Sequence, residues 1–231
     1  ETQEIIREEL GDRDIKTLTI GPAGEKLVRF ANVMTEIKNA GGRSGMGALL
    51  GSKNLKAIAA RGTMDIKIEH PAEALEYNKR VITQVTSAKV SKTQGRLGTP
   101  FIWGATNSWG GIRTRNFQTN QFEYCDAIEP EAIDEFVNGY AGCFACQVHC
   151  RAKYTIPSGP YAGVYDEGPE YTAQGALTAE PGCKDPVALL TGNHLLDIYG
   201  LDILETGSLI AWAMELYEKG ILTDKDTDGL E

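Results

Sequence analysis

Cys143-Phe144-Ala145-Cys146-Gln147-Val148-His149-Cys150 packs three thiols into eight residues. A two-residue gap between the first two lets the loop wrap one metal ion or one face of a cluster. A [4Fe–4S] cluster takes one thiolate per iron, so three local cysteines leave the fourth ligand to another part of the chain or to a residue outside it. Within this sequence Cys125 and Cys183 are the candidates. Zinc is the rival, because Cys3His ligation also uses three thiolates and His149 stands beside Cys150. Two features favour iron–sulfur over zinc: adjacent side chains point in different directions, and zinc sites usually separate their ligand pairs by a dozen or so residues. Buried, unligated cysteines are the third reading.

Two other segments hold chemistry of lower specificity. The run Gly41-Gly42-Arg43-Ser44-Gly45-Met46-Gly47-Ala48 lets backbone N–H and C=O groups approach a phosphate or its bridging cation, since glycine tolerates unusual dihedrals and adds no side chain. It matches neither the dinucleotide fingerprint nor the Walker loop, and a tight turn between two strands explains it equally well. Asp197-Ile198-Tyr199-Gly200-Leu201-Asp202 places two carboxylates around a helix end, where the helix dipole disfavours them unless they meet something positive or rich in N–H donors. The amino-pyrimidinone edge of a pterin offers such donors side by side, and a carboxylate accepts them in pairs. A solvated acidic turn is the alternative. In Gly168-Pro169-Glu170-Tyr171, Glu170 reads either as a buried acid with a raised pKa that transfers protons or as an ordinary carboxylate at a helix N-terminus.

Several elements must position these groups. The strand-like Leu18-Thr19-Ile20 precedes Gly21-Pro22, a strand or short helix runs from Leu27 to Val33, and Leu55 to Ala60 reads as a strand. A boundary falls near Gly62-Thr63. Beyond it the pattern turns helical: Pro71 opens a helix whose apolar face runs through Val85. Residues 94 to 118 read as a glycine- and aromatic-rich connection, and a helix from Glu129 to Val137 precedes the cysteines. Asp185 caps a helix from Pro186 to Gly200, and Thr206 or Ser208 caps one reaching Lys219-Gly220.

The 231 residues, 42% hydrophobic and 24% charged, fit one or two globular domains. A net charge of −9 repels nucleic acid and anionic lipid, which sets both aside as partners. The longest apolar runs fall short of the roughly 20 residues a membrane helix needs. Five cysteines, an odd number without a secretory leader, argue against a disulfide framework and for a reducing cytoplasm. The chain opens on Glu1 without an initiator Met, and both ends read as cut from a longer polypeptide.

Taken in order, Gly21-Pro22-Ala23-Gly24-Glu25, Gly42 to Ala48 with Gly51-Ser52-Lys53-Asn54-Leu55-Lys56-Ala57-Ile58, Arg113-Thr114-Arg115-Asn116-Phe117, the three cysteines, Gly168 to Tyr171, Asp197 to Asp202 and Ala213 to Gly220 resemble the aldehyde:ferredoxin oxidoreductase family. The similarity covers nearly the whole chain. It implies a tungsten atom held by two pterins, a neighbouring [4Fe–4S] cluster and magnesium bridging the pterin phosphates. By the same resemblance Cys143, Cys146 and Cys150 are cluster ligands, and Asp197, Gly200, Leu201 and Asp202 contact one pterin. Arg43, Ser44, Gly45, Gly47 and Ala48 contact its phosphates or their magnesium, and Glu170 is the acid near tungsten. The implied fold is α+β: residues 1–63 end a β-rich first domain, and 64–231 form a mostly α-helical second domain. The fourth cluster cysteine and an active-site histidine belong to a third domain in the family, so His70, His149 and His194 are read as satisfied or exposed. The implied reaction oxidises an aldehyde to a carboxylic acid, with electrons leaving to ferredoxin or a partner subunit, in an oligomer of the full-length enzyme. Within the superfamily the tungsten subunit of a benzoyl-coenzyme A reductase, acting on an acyl-CoA, is the alternative; outside it stands a zinc-stapled, non-catalytic helical module.

Overall fold

The computed structural model describes residues 1–36 and 39–229. Its first unit is an antiparallel sheet of β1 (Lys16–Ile20), β2 (Val33–Thr35), β3 (Asn39–Gly41) and β4 (Ala57–Ala60), in the order β3-β2-β1-β4. The register pairs Thr19 with Met34 and Leu18 with Ile58. Ile20, Val33 and Leu50 close a small core under it, with Leu18 packed alongside. The expected strand or helix from Leu27 to Val33 is absent until its last residue. Leu27 adopts a positive φ of 58°, and the Val28 N–H turns back to Ala23 O, so the chain coils before β2 begins. The glycine run does not join two strands directly: it leads into the helix Met46–Ser52, which returns the chain to β4.

The second unit begins with the helix Pro71–Ser87, none of whose residues is buried. Residues 94 to 118 are more ordered than a connection. They hold the end of the helix Lys89–Leu97, a 3-10 turn Thr99–Ile102 and the helix Trp103–Ser108, because Trp103, 1% exposed, anchors this stretch in the main core. Around it pack Phe122, Ile128, Tyr154, Ile156, Leu189 and Leu190, each worth about 1.5–3 kcal/mol of burial for a large apolar side chain.

The expected helix from Glu129 to Val137 shrinks to Pro130–Ile133 and a 3-10 turn Asp134–Phe136. The chain then enters a second antiparallel sheet, β5 (Val137–Ala141), β6 (Arg151–Thr155) and β7 (Tyr165–Glu167), in the order β5-β6-β7. Nothing in the local pattern announces it. These strands carry Asn138, Gly139, Arg151 and Lys153 where β-branched residues would be the usual signal, and the sheet forms because Tyr154 and neighbouring Ile156 are drawn into the core at 0% exposure.

Two helices end the described chain. Asp185 caps Pro186–Tyr199 by accepting the Val187 N–H, and Gly200, with φ 69°, stops it in the left-handed region. Ile203–Glu218 is capped by Asp202 rather than by Thr206 or Ser208. The Asp202 carboxylate accepts the Glu205 N–H at 2.9 Å, whereas Thr206 Oγ1 donates back to Asp202 O and Ser208 donates to Glu180. The architecture is α+β, with strands in both units. Among the described residues no helix is long and apolar enough to cross a membrane.

Candidate functional site

The three clustered cysteines occupy the loop of a β-hairpin. β5 and β6 pair antiparallel with Ala141 opposite Arg151, so the eight residues from Cys143 to Cys150, with Gly142, are the excursion between two paired ends. Inside the loop the Cys146 N–H donates to Cys143 O at 3.0 Å, and the Val148 N–H donates to Cys146 Sγ at 3.5 Å. Ala145 and His149 both take φ of 56°, a left-handed conformation that costs energy outside glycine and marks a loop shaped by something other than local preference. An amide aimed at sulfur suits a thiolate more than a neutral thiol, because the charged acceptor makes the stronger bond. Cys143 is exposed, Cys146 and Cys150 are half-buried, and Phe144 between them is fully exposed.

A tetrahedral zinc with Zn–S near 2.3 Å holds its thiolates about 3.8 Å apart. Among the described residues the three thiols do not gather within 4.8 Å of one another; the one group that does is Cys125, Asp126 and Glu129. Burial pushes the Cys150 thiol up, with the negative charge of Glu170 and then the other two cysteines adding to the effect. A bound metal reverses that balance, since coordination deprotonates a thiol.

Cys125 is buried and lies 3.8 Å from Glu129 Oε1. Burial pushes its thiol up to about 11, with Glu129 and Asp126 contributing. Cys183 is half-buried and donates its N–H to Thr178 O. Glu170 is the N-cap residue of the helix Tyr171–Leu177 and accepts a hydrogen bond from Thr99 Oγ1. It is half-buried, and its charge reaches Cys150.

The glycine run and the acidic turn meet each other. Asp202 Oδ2 accepts the Arg43 N–H at 2.9 Å, and the Arg43 guanidinium lies 3.6 Å from Asp202 Oδ1 and 3.2 Å from Glu205. Asp202 thus stands at the start of a helix, where the dipole favours a negative charge, not at the misplaced end read from the sequence. Asn32 N–H donates to Gly200 O at 2.7 Å, Asp202 N–H to Phe30 O at 3.0 Å, and Leu201 bridges Ala31. Gly45 and Gly47 are required by this joint: a Cβ on either would lie 2.4 Å from the backbone oxygen of Arg29 or Asn32, and Gly45 also has φ 67°. Ser44 is exposed and Ala48 half-buried.

At the same corner, Asn32 Oδ1 is buried without a donor, and a Cβ built on Gly42 would come within 3.5 Å of it. An orphaned acceptor beside a carboxylate and bare backbone fits a donor-rich heterocycle such as a pterin. Asp197 lies on a different surface. It lines a cavity of about 580 Å³ with Gly21, Pro22, Lys56, Asp166 and His194.

Sequence reasoning passes over two charged pairs here. His194 Nδ1 lies 2.7 Å from Asp166 Oδ2, so this histidine is satisfied as expected; burial pushes the Asp166 acid up, opposed by that hydrogen bond. Arg151 and Glu167 form a buried pair at 3.2 Å. Only the register of β6 on β7, with Lys153 opposite Glu167, brings Arg151 and Glu167 to one place, and no motif spacing records that.

The family model for domains 2 and 3 of aldehyde ferredoxin oxidoreductase matches residues 76–231. The chain belongs to the aldehyde ferredoxin oxidoreductase family. The model of that family's N-terminal domain matches residues 1–62. The tungsten-containing aldehyde ferredoxin oxidoreductase of Pyrococcus abyssi is 37% identical over 231 residues, covering 99% of this chain and 37% of that protein. The aliphatic sulfonate oxidoreductase WOR-like subunit of Pyrococcus furiosus is 32% identical over 212 residues, covering 90% of this chain and 33% of that protein. Among solved structures, the BamBC active-site complex of benzoyl coenzyme A reductase with 1,5-dienoyl-CoA superposes with a TM-score of 0.75 at 23% identity. That match covers 100% of this chain and 36% of the other, and at this identity it speaks for the fold alone. The chain spans about a third of the length of the family relatives it matches.

Proposed function

We propose that this chain is the segment of a tungsten-pterin, [4Fe–4S] oxidoreductase that holds most of the cluster's protein ligands and one pterin contact, in an enzyme oxidising an aldehyde to a carboxylic acid. The net conversion is aldehyde plus water to acid, two protons and two electrons, the electrons passing to ferredoxin or a partner subunit. When bound, the tungsten–pterin group supplies the two-electron chemistry. The chain's own residues hold and orient. Cys143, Cys146 and Cys150 offer three thiolates from the hairpin loop, and the Val148 N–H supports one of them at 3.5 Å.

Asp197, on the cavity wall, accepts N–H donors of the pterin edge, with Gly200 and Leu201 shaping the turn behind it. Asp202 has a second duty, because its carboxylate already joins the Arg43 N–H to the helix start; the open acceptor at that corner is Asn32 Oδ1. Ser44, Gly45, Gly47 and Ala48 stand for phosphate and magnesium contacts, and Glu170 holds or moves a proton near the reacting centre. Residues 1–63 act as the end of the first domain and 64–231 as the second.

One observation carries the reading: three cysteines on one hairpin loop, with a backbone amide directed at Cys146 Sγ. Replacing Cys146 by Ser in the intact protein is expected to remove iron and stop electron delivery to the acceptor. Unchanged iron content in that variant refutes the assignment.

A further inference from the structure

The hairpin that carries the cysteines also carries a buried charge without a role so far. Arg151 comes directly after Cys150, opens β6, and is 9% exposed. Its Nη1 lies 3.2 Å from Glu167 Oε2 and donates to Asn39 Oδ1 at 3.1 Å, while Nη2 donates to Gly142 O at 3.0 Å. Gly142 immediately precedes Cys143, so one guanidinium grips the loop at both ends and ties it to β3. Its Nε is buried with no partner, and Glu167 is itself 7% exposed.

A buried ion pair is weak evidence of a stabilising role. Desolvating two ions offsets much of their attraction, and apolar residues of similar volume are often as stable or more so. What an apolar pair lacks is charge. In a poorly screened interior a unit charge held against the loop acts on whatever charge the thiolates and their metal carry.

We propose that Arg151 is a positioning residue that, balanced by Glu167, sets the reduction potential of the cluster held by Cys143, Cys146 and Cys150. The inference rests on the cluster reading of the loop. Reduction adds one electron to the cluster, so the guanidinium favours the reduced form and the Glu167 carboxylate opposes it. Net charge around a cluster, hydrogen bonds near its sulfurs and solvent exposure govern its potential. Arg151 affects the first directly and the others by holding the loop closed against Asn39.

The test is a potentiometric titration of the cluster monitored by electron paramagnetic resonance, with iron analysis, on intact anaerobic protein: wild type, Arg151→Gln, Arg151→Lys and Glu167→Gln. Arg151→Gln is expected to move the midpoint to a more negative potential and Glu167→Gln to a more positive one. Arg151→Lys, which keeps the charge but loses the fork, stays near wild type, and iron content is the same in all four. Shifts of the same sign in the two Gln variants, or none, with iron retained, overturn the proposal. Loss of iron in every variant also overturns it, leaving the pair as a fastener of the loop. Wild-type protein without iron fails earlier, at the cluster reading, and is thereby told apart from a failure of the charge role.

Discussion

The cysteine loop and the joint between the glycine run and the acidic turn differ in how far the chain satisfies itself. In the joint, Asp202 accepts two backbone N–H groups and faces a guanidinium, and glycines let backbones approach where a Cβ would collide. Around Cys143 to Cys150 the protein supplies turns, two left-handed residues and one amide directed at a sulfur, but no disulfide partner for the thiols among the described residues. The joint is held largely by the chain's own groups, with Asn32 Oδ1 left without a donor, whereas the loop's thiols have no disulfide partner among the described residues. Residues singled out for the same kind of reason, as ligands, therefore differ in how far the chain itself meets their polar groups.

Substitutions sharpen that division. Gly47→Ala is expected to have the largest effect on stability, about 3 kcal/mol, since the new methyl meets backbone rather than a movable side chain. Urea unfolding of the metal-free protein measures it; a loss near zero would mean that the joint yields easily. Asp202→Ala comes next, at about 2 kcal/mol, from a lost helix cap and an unpaired Arg43 N–H. Asp197→Ala changes unfolding by less than about 1 kcal/mol, yet lowers the pterin content of the intact protein. Equal stability losses for Asp197 and Asp202 would erase the distinction between them.

Cys146→Ser is smaller still for the metal-free fold, under about 0.5 kcal/mol. The smallest effect involves no substitution. At pH 8 the Cys125 thiol, pushed up to about 11, is ionised to only about one part in a thousand. Alkylation of the metal-free protein with detection by mass spectrometry should label exposed Cys143 first and leave Cys125 last. Rapid labelling of Cys125 would show that the core around Phe122 opens.

The sequence is most legible where local rules decide. Asp185 and Gly200 bound a helix through side-chain and backbone preferences that need no tertiary partner, and the structure keeps both in those roles. The cap of the last helix is harder to read because Asp202 looks like part of the turn before it and the hydroxyls of Thr206 and Ser208 compete as candidates, while the bond to the Glu205 N–H is itself local. The β5-β6-β7 sheet is illegible for a related reason. Its polar strands are recruited by Tyr154 and Ile156 entering a core assembled from Trp103 to Leu190.

At the site, the cysteine spacing is plain in the sequence, and the hairpin that presents it is not. Arg151 is invisible there as a participant, since its partners Asn39, Gly142 and Glu167 lie 112, 9 and 16 positions away and form no motif. Spacing identifies ligands that act together within one loop. It does not identify charges that converge through strand register.

The central claim is that the hairpin loop holds an iron–sulfur cluster in a tungsten enzyme, and metal analysis of the intact protein purified without oxygen, paired with its visible absorption spectrum, tests it most directly. Iron and tungsten together are expected, with the broad absorption of a thiolate-ligated cluster that disappears in Cys146→Ser. Colourless protein containing zinc alone would contradict it and leave a metal-stapled hairpin with no redox role.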